Sequence, residues 1–122
     1  MITQQDVELF LQQFKVKMEV FGIVFRNDRG KNIQTLVDLN ISMMERLQVV
    51  RQIEVTDYSE GPIADTLNRW SEMWVFGKDV KGQEVYIKIA MGFSGSNTIC
   101  ISFHISEHPM SYPFRKGRNE ET

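Results

Sequence analysis

Four side chains with chemistry to offer fall at alternate positions of two apolar segments. In Glu84–Met91 the odd positions are Val85, Ile87, Ile89 and Met91; in Thr98–Ile105 they are Ile99, Ile101, Phe103 and Ile105. Side chains of a strand point alternately to its two faces, so this spacing predicts two strands with an apolar face to bury. The even positions then leave Tyr86, Lys88, Ser102 and His104 on an open face. The intervening Gly92–Asn97 is rich in turn formers and short enough for an antiparallel hairpin. With Met91 opposite Ile99, Lys88 falls opposite Ser102 and Tyr86 opposite His104. Such cross-strand neighbours have Cβ atoms about 4.5–5.5 Å apart. A phenol, an ammonium, a hydroxyl and an imidazole in one patch can grip a phosphate and move a proton. The plain alternative is a solvated sheet face, on which Lys, Ser and Tyr are ordinary.

The elements that must position this patch are readable upstream. Thr3 is suited to cap a helix, with Asp6 in its first turn, and Val7, Phe10, Leu11, Phe14 and Met18 follow at helical spacing. Phe21–Arg26 reads as a short extended segment, ended by the turn formers Asn27 to Gly30. Thr35–Asp38 reads as one helical turn. Ser42-Met43-Met44-Glu45 matches a capping box and predicts a second helix to about Ile53. Its apolar side would be Met43, Leu47, Val50 and Ile53, with Arg46 among the exposed residues. Glu60-Gly61-Pro62 is expected to break any element there. Ser71–Val80 reads as a strand weakened at Gly77, and Lys81-Gly82 turns it into the Tyr86 strand. The expectation is one α+β domain over 1–122: two helices on a small antiparallel sheet, with a C-terminal three-stranded meander and an irregular tail from 107 to 122.

Composition narrows the function classes. At 122 residues the chain fits one domain. It contains no apolar run of the roughly 18 residues that a membrane span requires. Its N-terminus lacks the basic start and apolar stretch of a signal peptide. A cytoplasmic protein is expected, with no membrane partner. One cysteine excludes an intramolecular disulfide and a cysteine-based zinc cluster. Cys100 shares the open-face parity and is read as a packing residue. Arg29-Gly30-Lys31 lacks the glycine spacing and the Lys-Ser/Thr ending of a phosphate loop. No cofactor or metal is expected. A net charge of −2 gives no global attraction to nucleic acid, and no DNA binding is expected of the chain alone. Local basic groups remain at Arg26, Arg29 and Lys31 and at Arg115, Lys116 and Arg118, while residues 54–84 are mainly acidic.

Several segments resemble the MqsR-like toxins of the RelE superfamily. The similarity covers roughly residues 35–106, through Leu39-Asn40-Ile41-Ser42, Asp57-Tyr58, Gly82 to Ile89 and Ile101-Ser102-Phe103-His104. The resemblance implies a RelE-like fold and an endoribonuclease that cuts mRNA through the ribose 2′-hydroxyl. It also implies an antitoxin protein that neutralises it. Tyr86 corresponds to the family's Tyr-x-Lys tyrosine, and Trp74 to the aromatic residue that begins the preceding strand. His104 stands where the family has a Lys after Ser-Phe; Ser59 or Glu60 replaces another Lys, and Val75 a Gln. The expected catalytic groups are Tyr86, Lys88 and His104. Ser102, Trp74, Tyr58 and Arg115 are expected to bind substrate, and His108 is weighed as an alternative to His104. The rival expectation is a binding module without catalysis, docking a protein through the same face and the Trp70/Trp74 region, or a silent relative of the toxins.

Overall fold

The computed structural model describes residues 1–26, 30–65 and 71–115. Helix α1 spans Gln4–Phe21 and buries Val7, Phe10, Leu11, Phe14 and Met18, the stripe read from the sequence. Its N-terminus is closed reciprocally: the Asp6 N–H donates to Thr3 Oγ1 (3.2 Å) and the Thr3 N–H to Asp6 Oδ2 (2.8 Å). Those two bonds satisfy donors that a helix start leaves orphaned. The bond from the Thr3 backbone, then that with its hydroxyl, holds the Asp6 carboxyl below its ordinary range. Gly22 ends the helix at φ 84°, a conformation open to glycine, and its N–H donates to Met18 O at 2.7 Å.

Strand β1 is Ile23–Phe25, followed by α2 at Gly30–Leu39 and α3 at Met43–Arg51. Four longer strands come next: β2 (Tyr58–Ile63), β3 (Met73–Val80), β4 (Gln83–Ala90) and β5 (Thr98–Ile105). The sheet order is β1-β5-β4-β3-β2. β1 runs parallel to β5 and the other pairs are antiparallel, so the α+β class holds but the sheet is mixed, not wholly antiparallel. Lys81 (φ 53°) and Gly82 (φ 83°) form the two-residue loop between β3 and β4. Positive φ at both positions matches the twist of a tight hairpin.

Expectations about the helices and about β2 need correction. Among the described residues there are three α-helices, not two: α2 extends the single turn expected at Thr35–Asp38 to ten residues. Glu60-Gly61-Pro62 does not abolish its strand. β2 lies at the sheet edge, where a proline's missing N–H is tolerated, and it accommodates the motif with two register shifts. In α3, Arg46 is buried rather than exposed, its guanidinium 3.8 Å from the Phe25 ring centroid, while Met43 is solvent-facing. Burial pushes the Arg46 pKa down.

The decisive departure is in β5. Tyr86 pairs with His104 and Lys88 with Ser102, as the alternation predicts. Beyond them the register shifts: Ile89 pairs with Cys100 and Ala90 with Ile99, not Met91 with Ile99. Ile101 is therefore an extra residue in β5, a bulge. Parity reverses across it. Cys100 joins Val85, Ile87, Ile89 and Phe103 in the core under the helices. Ile99 and Ile101 pack instead with Ala90 and Met73 on the other side of the sheet.

The bulge has a cause. β1 accompanies β5 only as far as Cys100, and the Arg26 N–H closes that edge on Cys100 O at 3.0 Å. From there α2 stands in for the missing strand. Asn32 Nδ2 donates to Arg26 O (2.9 Å) and Ile101 O (3.1 Å), and Asn32 Oδ1 accepts from the Phe103 N–H (3.3 Å). Thr35 Oγ1 accepts from the Ile105 N–H (3.2 Å) and donates to Lys31 O (2.9 Å). Asn32 is 1% exposed and Thr35 3%, so solvent offers no replacement for these bonds.

Replacing Asn32 by Ala orphans the buried Ile101 carbonyl and Phe103 N–H. The expected loss is about 1–3 kcal/mol, read as a lower urea midpoint at unchanged slope. Phe103→Ala, which empties the core beside it, is expected to cost about 3–5 kcal/mol. An Asn32→Ala midpoint equal to the wild type's would contradict the role given to the amide.

Candidate functional site

Over the open face lies a cleft of about 510 Å³. β4 contributes Tyr86 and Lys88 to it, and β5 contributes Ser102 and His104. The imidazole of His104 stacks on the Tyr86 ring, with centroids 5.0 Å apart and planes at 14°. Lys88 Nζ lies 5.8 Å from the Tyr86 ring centroid. Ser102 and His104 are 1% and 7% exposed, so they form the floor. The His104 Nδ1 lies 2.9 Å from Ile105 O. A carbonyl can only accept, so in the neutral ring Nδ1 carries the proton and Nε2 keeps its lone pair.

The segment after β5 builds one wall. The Ser106 N–H donates to Glu84 O at 2.8 Å, extending the β4–β5 pairing by one rung. The Glu84 carboxylate then takes the Met110 N–H (3.2 Å) on Oε1 and the Tyr112 hydroxyl (2.6 Å) on Oε2. Tyr112 lies over Gly77, where a Cβ would sit 2.1 Å from its hydroxyl oxygen. The glycine that weakens β3 in the sequence thus leaves room for this crossing. Burial, then the bond to Glu84, raises the Tyr112 phenol pKa. Farther on, Arg115 covers the Tyr112 ring (3.7 Å) and donates to Asp57 Oδ1 (3.2 Å), while Lys78 pairs with Asp57 Oδ2 (2.9 Å). Phe114 stacks on Tyr58 with centroids 5.3 Å apart.

Of the residues expected at the site, Tyr86, Lys88, Ser102 and His104 are together in the cleft. Trp74 is not among its lining residues: it is buried in the core, stacked on Phe10 at 4.5 Å. Tyr58 is likewise buried, edge-on to Trp74 and Phe76, with its hydroxyl donated to Gly61 O. Arg115 is engaged with Asp57 rather than with the cleft. Trp70, Arg29, Lys116 and Arg118 lie outside the described residues. Cys100, expected on the open face, is buried in the core, and burial pushes its thiol up to about 12. At that value it is not a thiolate near neutral pH.

The structure adds Lys31, Ser59, Glu60, Glu107 and His108 to the cleft. Lys31 and Glu107 form an ion pair at 3.1 Å, tying the start of α2 to the rim. The lining thus sets Lys31 and Lys88 against Glu60 and Glu107. Two cations balanced by two carboxylates leave this lining without the net positive charge of a groove that tracks a long polyanion. Among the described residues, no three of His, Cys, Asp and Glu gather as metal ligands would. Also among them, no helix is long and apolar enough to cross a membrane.

The wall makes a spectroscopic prediction. Of the three tyrosines, Tyr112 should ionise well above the ordinary phenol value of about 10; burial, then the nearby Glu60, also raises Tyr58, so Tyr112→Phe should remove one late-ionising phenol from an absorbance titration and leave the other. The folded phenol holds its proton more tightly than the unfolded one. Its contribution to stability is therefore complete below about pH 10 and is lost as pH climbs toward the folded value. Simultaneous ionisation of all three tyrosines in folded protein would contradict the placement.

Compared with protein-family models, curated proteins and solved structures, the chain finds no match in any of the three.

Proposed function

We propose that this chain is a metal-independent endoribonuclease of the toxin type, with a RelE-like arrangement of its sheet. Its substrate would be mRNA, and an antitoxin protein would neutralise it by covering the cleft. The observation that carries this reading is the single cleft shared by His104, Tyr86, Lys88 and Ser102, with His104 tautomerically disposed as a base. Cleavage through a ribose 2′-hydroxyl needs a base for that hydroxyl and positive charge for the developing phosphorane. His104 Nε2 supplies the first and Lys88 the second. Ser102 donates to a phosphate oxygen from the floor. Tyr86 orients the imidazole by stacking and offers its hydroxyl to the substrate. DNA lacks the nucleophile, so it would not be cut. The site of action would be the cytoplasm, where mRNA is available.

The charge balance of the lining bears on affinity. Single-stranded RNA loses affinity with a logarithmic salt slope of about −0.7 for each phosphate neutralised. With Lys31 already paired to Glu107, a slope near that of one or two contacts is expected.

Purified wild-type protein should cleave a single-stranded RNA, and His104→Ala and Lys88→Ala should each slow it by about 10²–10⁴-fold. Lys88→Ala should keep the wild-type melting transition; His104→Ala, which removes a buried ring stacked on Tyr86, should lower it while leaving a cooperative, folded protein. Intact RNA in the presence of folded wild-type protein would overturn the proposal in favour of a binding module. Equal rates for wild type and His104→Ala would keep the nuclease and remove His104 from its mechanism.

A further inference from the structure

A base accounts for only half of the proton traffic that cleavage requires. The leaving 5′-oxygen must gain a proton, and in an in-line displacement the entering and leaving oxygens lie on opposite sides of phosphorus. Tyr86 is poorly placed for this second task, because its ring stacks directly on that of His104. Glu107 is engaged by Lys31, and that hydrogen bond holds its carboxyl below the usual range. It is therefore a carboxylate near neutral pH and has no proton to give.

Resting on the endoribonuclease reading, we infer that His108 is the general acid opposite His104, so that the cleft works with two imidazoles. Both line the same cavity, but from different elements. His104 stands on the floor in β5, and His108 comes from the bend that follows. That bend is a built feature. The Ser106 N–H is bound to Glu84 O, the Ser106 hydroxyl donates to His108 O, and the Met110 N–H is bound to the Glu84 carboxylate. The backbone is thus held two residues before His108 and two residues after it, with Pro109 fixing φ between. The imidazole itself is exposed, so water can return its proton between turnovers. An imidazole nitrogen can accept a proton in one state of the ring and donate it in the other, which is the chemistry that a base and an acid require.

The step balances. The 2′-hydroxyl proton passes to His104 Nε2 as the 2′-oxygen bonds to phosphorus. The bond from phosphorus to the 5′-oxygen breaks, and the electron pair on that oxygen takes a proton from His108. The products are a 2′,3′-cyclic phosphate and a 5′-hydroxyl, with His104 protonated and His108 neutral. Exchange with water resets both rings.

The test compares two substrates that differ only in the leaving group. One is a dinucleotide with an ordinary 5′-nucleoside; the other is the nucleoside 3′-(4-nitrophenyl) phosphate, whose 4-nitrophenolate departs without protonation. His108→Ala and His108→Gln should slow cleavage of the dinucleotide by about 10²–10⁴-fold and leave the nitrophenyl ester near the wild-type rate. His104→Ala should slow both. An active wild type with His108 variants unchanged on the dinucleotide, or equally impaired on both substrates, would overturn the assignment and leave the nuclease standing. A folded wild type inactive on both would overturn the nuclease reading and this assignment with it.

Discussion

The side-chain amide of Asn32, buried in α2, bonds the backbone of β5 at the Ile101 carbonyl and at the Phe103 N–H, on either side of Ser102. Because side chains alternate along a strand, one extra residue exchanges the two faces beyond it. Held at Ile101, the bulge lets β5 satisfy two demands that a regular strand could not. Phe103 and Cys100 both reach the core under the helices, although they are three positions apart, a spacing that puts side chains of a regular strand on opposite faces. Ser102 and His104 meanwhile stay opposite Lys88 and Tyr86. A slip of one residue at the same place would turn His104 into the core and empty the cleft of its imidazole.

A second constraint completes the cleft from the other side. Glu84 bonds two points of the returning chain, and Gly77 lets Tyr112 lie against the sheet. The segment is then closed by Arg115 and Lys78 on the buried carboxylate of Asp57, and by Phe114 on Tyr58. Two carboxylates of the acidic stretch 54–84, Asp57 and Glu84, are thus engaged in holding the wall. The wall brings His108 to the cavity that the hairpin opens. The two constraints are independent in sequence, one running from α2 to β5 and the other from β4 to the tail, yet they frame one site.

What could be read in advance follows from the range of the interactions involved. The α1 stripe, the N-cap at Thr3 and the capping box at Ser42 are local, and the structure reproduces them. The pairing of Tyr86 with His104 also needed only alternation and a short loop. The bulge beside it did not show, because its cause is an asparagine 69 residues away from Ile101. Trp74 was misplaced because Met73-Trp74-Val75-Phe76 is apolar throughout, so alternation says nothing about which face each residue takes. Arg46 reads as a surface residue on a helical wheel, and only the Phe25 ring beneath its guanidinium explains its burial. β2 was hidden by Gly61-Pro62, since the sequence does not reveal that this strand would be an edge. Lys31, Glu107 and His108 entered the cleft through the path of α2 and the tail, which no local pattern encodes.

The central claim is that this cleft uses a ribose 2′-hydroxyl as its nucleophile, with the floor histidine as base. The most direct measurement is mass spectrometry of the products from one RNA oligonucleotide, made in two forms that differ by a single 2′-deoxy substitution at the mapped cut. The account predicts a 2′,3′-cyclic phosphate from the all-ribose strand and no cut at the substituted position. Cleavage that proceeds through the deoxy position, or fragments ending in a 5′-phosphate, would contradict it.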